Sequence, residues 1–136
     1  MLKVFYKTIL SSILALACTY SLATPVEAGM ISQEQEIAMG KAAGQQLEAQ
    51  YGLSQDYVLQ ERVEQVGKRL AAVCKRKDLE YSFKVLNSNE INALACPGGF
   101  VYVFKGLVDY MPSDTELAGV LGHEITHIVD KHKDNS

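Results

Sequence analysis

The chain of 136 residues contains three cysteines and carries no excess of basic side chains. It has no internal repeat and no low-complexity tract. Three cysteines are too few for the dense disulfide framework of a small secreted scaffold. With 13 Lys and Arg against 16 Asp and Glu, the net charge is −3, so the basic patch on which nucleic acid binding rests is missing and no nucleic acid partner is expected. Without a repeat, solenoid and propeller architectures are excluded. The length leaves room for one domain, and 48% hydrophobic with 21% charged residues is the balance of an ordinary globular protein. Long apolar runs are also scarce. The stretch from Thr8 to Ala17 is short for a membrane-spanning helix, which needs about 20 residues.

What is present at the N-terminus reads as an export signal. Lys3 and Lys7 precede the apolar run, and Val26-Glu27-Ala28 supplies the small residues that signal peptidase requires. The expected division is a signal peptide over residues 1–28 and a mature domain over residues 29–136, secreted or periplasmic. The alternative is an uncleaved anchor extending through Ala23, which would associate the chain with a membrane. A lipoprotein reading centred on Cys18 meets Ala15-Leu16-Ala17, where Ala and Leu stand in the reverse of the usual order. Cleavage after Ala28 leaves Cys74 and Cys96, either joined in one disulfide or standing as two separate thiols.

Further along, Ser32-Gln33-Glu34-Gln35 has the form of a capping box, and good helix formers follow to Tyr51, before Gly52. A second helix begins after Asp56, with Leu59, Val63, Val66, Leu70 and Val73 forming one apolar face. Tyr81, Phe83 and Val85 alternate with polar residues as in a strand. "NSNE" then turns the chain toward Ile91–Ala95. The stretch "CPGGFVYVFKG" places a Pro-Gly-Gly turn before the β-rich run Phe100 to Phe104, so these two segments should form an antiparallel hairpin. A further capping box, Ser113-Asp114-Thr115-Glu116, opens a helix running through "ELAGVLGHEITHIVDKH". The order α-α-β-β-β-α predicts an α+β domain, with helices packed on a small, mainly antiparallel sheet.

The last helix holds all three histidines of the chain, His123, His127 and His132. At about 100° per residue, His127 falls about 40° and Glu124 about 100° from His123, so the three project into one sector. Two neutral imidazoles so placed can bind zinc, while a carboxylate beside them takes a proton from the water that attacks a peptide carbonyl. This is the HExxH pattern, and a chance match in such a chain is on the order of a few per thousand. Leu117, Leu121, Ile125, Ile128 and Val129 fall between about 120° and 240°, toward the core. Gly119 and Gly122 each cost about 1 kcal/mol in a helix interior, which suggests close backbone packing beside the metal face, with local flexibility as the alternative.

Other polar residues of this helix suit the site less well. His132 lies about 140° from His127 and should point away. Lys133 stands where a metzincin carries its third histidine. Glu116, about 10 Å before His123 along the axis, already serves the cap. Asp130, at about −20°, is placed either to orient an imidazole or simply to face solvent.

With "EQEIAMGKAAGQQLEAQYG", "YSFKVLNSNEINALACPGGFVYVFKGL" and "DTELAGVLGHEITHIVDKH" in this order, the chain resembles the HtpX- and BepA-like zinc metallopeptidases, which include the CAAX prenyl proteases. The resemblance runs from about Ile31 to His132. It implies a gluzincin acting on protein or peptide substrates, with His123 and His127 binding Zn2+ and Glu124 as the catalytic base. A glutamate on a later helix, which this sequence does not contain, would complete the metal site, so the expectation is a truncated peptidase domain. Envelope protein quality control is the implied process. The alternative is a catalytically incomplete module that binds extended peptides. The resemblance also makes Asn92 and Ala93 substrate-side candidates on an edge strand, with ordinary strand packing as the other reading. Cys96 stands where the family usually has an apolar residue, so its thiolate is a further candidate zinc ligand beside the disulfide and the inert thiol.

Overall fold

The computed structural model of the chain describes residues 31–134, with side chains described to residue 130. The expected signal peptide, the Cys18 reading and the side chain of His132 fall outside these. Among the described residues, no helix is long and apolar enough to cross a membrane.

Helix α1 covers Gln33–Tyr51, with the expected capping box: Ser32 Oγ accepts from Gln35 N, and Gln35 Oε1 accepts from Ser32 N. Helix α2 covers Tyr57–Val73 and is capped by Asp56, whose carboxylate accepts from the backbone of Val58 and Leu59. Three strands follow, β1 at Ser82–Leu86, β2 at Ala93–Cys96 and β3 at Phe100–Phe104. A short helix α3, Lys105–Tyr110, leads to the long helix α4, Asp114–Asp134.

The α+β class stands, but the sheet is mixed rather than mainly antiparallel. Its order is β1-β3-β2. Strands β2 and β3 form the expected antiparallel hairpin, with Ala93 opposite Val103 and Cys96 opposite Phe100. Its turn uses Gly98 and Gly99 at φ 85° and 96°, where a side chain would be strained. Strand β1 pairs in parallel with β3, from Ser82 opposite Phe100 to Leu86 opposite Phe104. The chain leaves β1, crosses to the far edge to form β2, and returns through the hairpin into the centre. That route fixes the parallel pairing, and side-chain alternation alone carries no information about it.

Helices cover both faces of the sheet. On one face, Leu94, Cys96, Tyr102 and Phe104 pack with Ala43 and Leu47 of α1. On the other, Phe83, Val85, Ala93, Ala95, Val101 and Val103 pack with Val63 and Val66 of α2 and with α4. This two-sided burial explains why β2 and most of β3 read as continuous apolar runs. The stripe expected on α2 is correct except at Val73, which is 79% exposed in the last helical turn.

The two cysteines sit on opposite sides of the sheet and are not joined. Cys74 caps α2 and packs at the edge of the α2/α4 core, whereas Cys96 is buried under α1. The disulfide reading is thereby corrected.

Candidate metal and catalytic site

Helix α4 is held by its apolar face. Leu117 and Leu121 are fully buried, Ile125 and Ile128 nearly so, and Val129 packs partly against them, as the wheel predicts. Burial of each large aliphatic side chain contributes about 1.5–3 kcal/mol. The helix rests on β2, where the small side chains of Ala93 and Ala95 allow close approach. At its N-terminus, Ser113 Oγ accepts from Glu116 N and so caps the helix, while the Glu116 carboxylate accepts from the Ser113 hydroxyl.

This anchoring turns His123 and His127 outward on the same side. Their Nε2 atoms lie 3.0 Å apart, and the rings meet edge to face with centroids 4.5 Å apart. Two nitrogens each about 2.0–2.1 Å from a shared tetrahedral zinc would be about 3.3–3.4 Å apart, so the pair is spaced to share one ion after a slight opening. Glu124 is different. It is only 3% exposed, its Oε2 has no hydrogen-bond partner, and burial pushes its pKa up to about 7. A buried, orphaned carboxylate oxygen on a helix that carries two facing imidazoles suits a cation and a water molecule better than it suits a structural core. The residues present therefore fit a zinc ion. Among the described residues, no cluster of three or more His, Cys, Asp or Glu is placed to hold a metal.

The remaining candidates separate by location. Cys96 lies on the sheet face toward α1, away from α4, so it is not a metal ligand at this site. Its alternation with Ala95, which faces α4, decides this. Asn92 and Ala93 are buried at the start of β2, and Asn92 Oδ1 accepts from the backbone N–H of Ala93 at 2.9 Å. Asp130 is exposed one turn beyond His127. The close packing expected at Gly119 and Gly122 is absent, since a Cβ built at either residue meets nothing within 4 Å.

Sequence reasoning missed the wall opposite the histidines. Tyr110, Met111 and Pro112 lie across a cavity of about 430 Å³ from Gly119, Val120, His123 and Glu124. The wall begins at the last residue of α3, a six-residue helix too short to show a periodicity. Arg62 of α2 holds it by donating to the carbonyls of Val108 (3.3 Å) and Met111 (3.1 Å).

A helix on a sheet edge that presents paired imidazoles and a buried carboxylate points to the metallopeptidase class. Comparison with known proteins agrees: the model of peptidase family M48 matches residues 58–136, more than half of the chain. The chain belongs to that family. It is similar to the beta-barrel assembly-enhancing proteases of Yersinia pestis (35% identical) and Escherichia coli K12 (32% identical). Each match extends over 102 residues, covering 75% of this chain and 21% of the relative. It is also similar to the mitochondrial metalloendopeptidase OMA1 of Schizosaccharomyces pombe, 39% identical over 70 residues, covering 52% of this chain and 21% of the relative. The chain thus spans about a fifth of the length of these relatives.

Proposed function

We propose that the chain carries the zinc-binding and catalytic-base half of a metalloendopeptidase site. His123 and His127 hold zinc through Nε2, and Glu124 is the catalytic base. The observation that carries this reading is the 3.0 Å approach of two Nε2 atoms on the helix that also buries the orphaned oxygen of Glu124. Zinc, when bound, supplies Lewis-acid polarisation of a peptide carbonyl and makes water more acidic. Glu124 takes a proton from the attacking water at a carboxylate oxygen and passes it to the leaving amine nitrogen, and its lack of a competing partner leaves that oxygen available. Hydrolytic zinc sites use three protein ligands, and the family resemblance assigns the third to a glutamate on a later helix.

The relatives' names, beta-barrel assembly-enhancing protease, support protein substrates. The family resemblance implies a place in envelope protein quality control, and the N-terminal export signal implies a secreted or periplasmic location. Zinc stoichiometry and casein hydrolysis in the wild type and in Glu124→Gln test the assignment. Tight zinc binding and Glu124-dependent hydrolysis are expected only where a third ligand completes the site, and hydrolysis should there fall by at least about 100-fold in the variant. Equal cleavage by the two proteins would overturn the role of Glu124. Peptide binding without any hydrolysis would instead favour a non-catalytic peptide-binding module.

A further inference from the structure

The face that presents His123 and His127 continues toward the N-terminus of α4 through Val120, Gly119 and Glu116, the i, i+3, i+4 neighbours that a helix places in one row. Along this row lies the cavity of about 430 Å³, which shares His123 and Glu124 with the proposed site. Its far wall is Tyr110-Met111-Pro112, and Val120 adds a further apolar side chain. The space is large enough for a leucine or phenylalanine side chain, and its walls offer such a side chain mainly apolar contact.

Gly119 is the anomaly in this row. Glycine in a helix interior costs about 1 kcal/mol relative to alanine, and close packing is the usual compensation. Here it is absent: a Cβ at this position would meet nothing within 4 Å, and the open space is the cavity itself. The glycine therefore keeps the cavity deep rather than admitting a neighbouring backbone. Resting on the peptidase reading of the site, we propose that Gly119 sets the depth of a subsite that receives a large apolar side chain flanking the scissile bond. A peptide placed with its carbonyl at Glu124 and the histidine pair brings an adjacent side chain over this cavity. Hydrolysis should then favour bonds next to Leu, Met or Phe.

The test compares wild type with Gly119→Ala and Gly119→Leu. Both variants should fold, with melting temperatures at or above that of the wild type, because the added atoms enter open space and improve helix propensity. Mass spectrometry of casein digests reads the residues beside each cut. Where the third ligand is present, wild type should cut next to large apolar residues, Gly119→Ala should prefer smaller ones, and in Gly119→Leu the ratio of large to small flanking residues should fall by at least about tenfold. An unchanged ratio in Gly119→Leu would overturn the proposal.

A binding measurement separates this outcome from failure of the peptidase reading. In Glu124→Gln proteins with and without Gly119→Leu, Ac-Ala-Ala-Leu-Ala-Ala-amide and its all-alanine counterpart are titrated while the Gly122 and Val120 amides are followed by NMR. The leucine peptide should bind several-fold tighter only where Gly119 is present, and equal affinities would overturn the subsite. Preference without hydrolysis by the Glu124-intact protein would retain the subsite as that of a non-catalytic peptide-binding module. Glu124-dependent hydrolysis with an unmoved preference would do the reverse.

Discussion

Arg62 donates its Nε–H to Asp114 Oδ1 at 2.8 Å and so ties α2 to the first residue of α4. Asp114 is more than half exposed, so the charge pair itself contributes little. The two donations to the carbonyls of Val108 and Met111 matter more, because they satisfy groups at the end of α3. Arg62→Lys keeps the charge but loses the planar fork. It should cost about 1–2 kcal/mol in urea unfolding, close to the cost of Arg62→Met. Hydrogen exchange should quicken at Met111 in both variants, and wild-type stability in Arg62→Lys would count against the fork.

Alanine substitution at two helical glycines should have opposite signs. A Cβ at Gly40 would sit 1.5 Å from the carbonyl oxygen of Pro97, so α1 must move off the hairpin turn. Gly40→Ala should destabilise by about 1–3 kcal/mol despite better helix propensity. Gly119→Ala should stabilise by up to about 1 kcal/mol. Thermal melts of the two variants side by side check both signs.

Arg76 is buried and pairs with both carboxylate oxygens of Glu36, at 2.8 and 2.6 Å. Glu36 also accepts from the backbone of Gly98, so the pair joins the start of α1 to the hairpin turn. Arg76→Met leaves a carboxylate without its main partner and should cost about 3–5 kcal/mol. Glu36→Gln combined with Arg76→Met should recover part of this loss in a double-mutant cycle, and strict additivity would show that the two side chains act separately.

Burial pushes the carboxyl of Glu48 up, but hydrogen bonds from Lys84 and Tyr102 outweigh it and leave its pKa below the ordinary range. A lowered folded-state value means that the unfolded chain binds the proton first as pH falls. The stabilisation is thus complete above the ordinary glutamate value of about 4.3 and is lost as pH falls through the folded value. Tyr102→Phe removes one of the hydrogen bonds and should flatten the acid limb of stability against pH. Urea midpoints between pH 3 and pH 6 would show this as a smaller rise than in the wild type.

Local chemistry made much of the fold legible. Capping residues Ser32 and Asp56 set the starts of α1 and α2 where the sequence placed them, and Gly98-Gly99 produced the hairpin. The wheel also placed the core side of α4 correctly through Leu117, Leu121 and Ile125. What was not legible depends on contacts distant in sequence. The parallel β1–β3 pairing comes from the route of the chain, and the separation of Cys74 from Cys96 follows from which sheet face each one meets. Gly119 was noticed for its helix cost, but only the cavity beside it reverses the reading from tight contact to reserved space.

Asn92 has a consequence for the solution behaviour of the protein. Strand β2 lies at an edge of the sheet among the described residues, and the pairing of Phe104 N with Asn92 O puts the Ala93 amide on the outward side of the ladder. An outward amide of this kind can recruit a strand from a second molecule. By accepting from that N–H, the Asn92 side chain acts as a built-in stopper, making edge-to-edge self-association start with the loss of an existing bond.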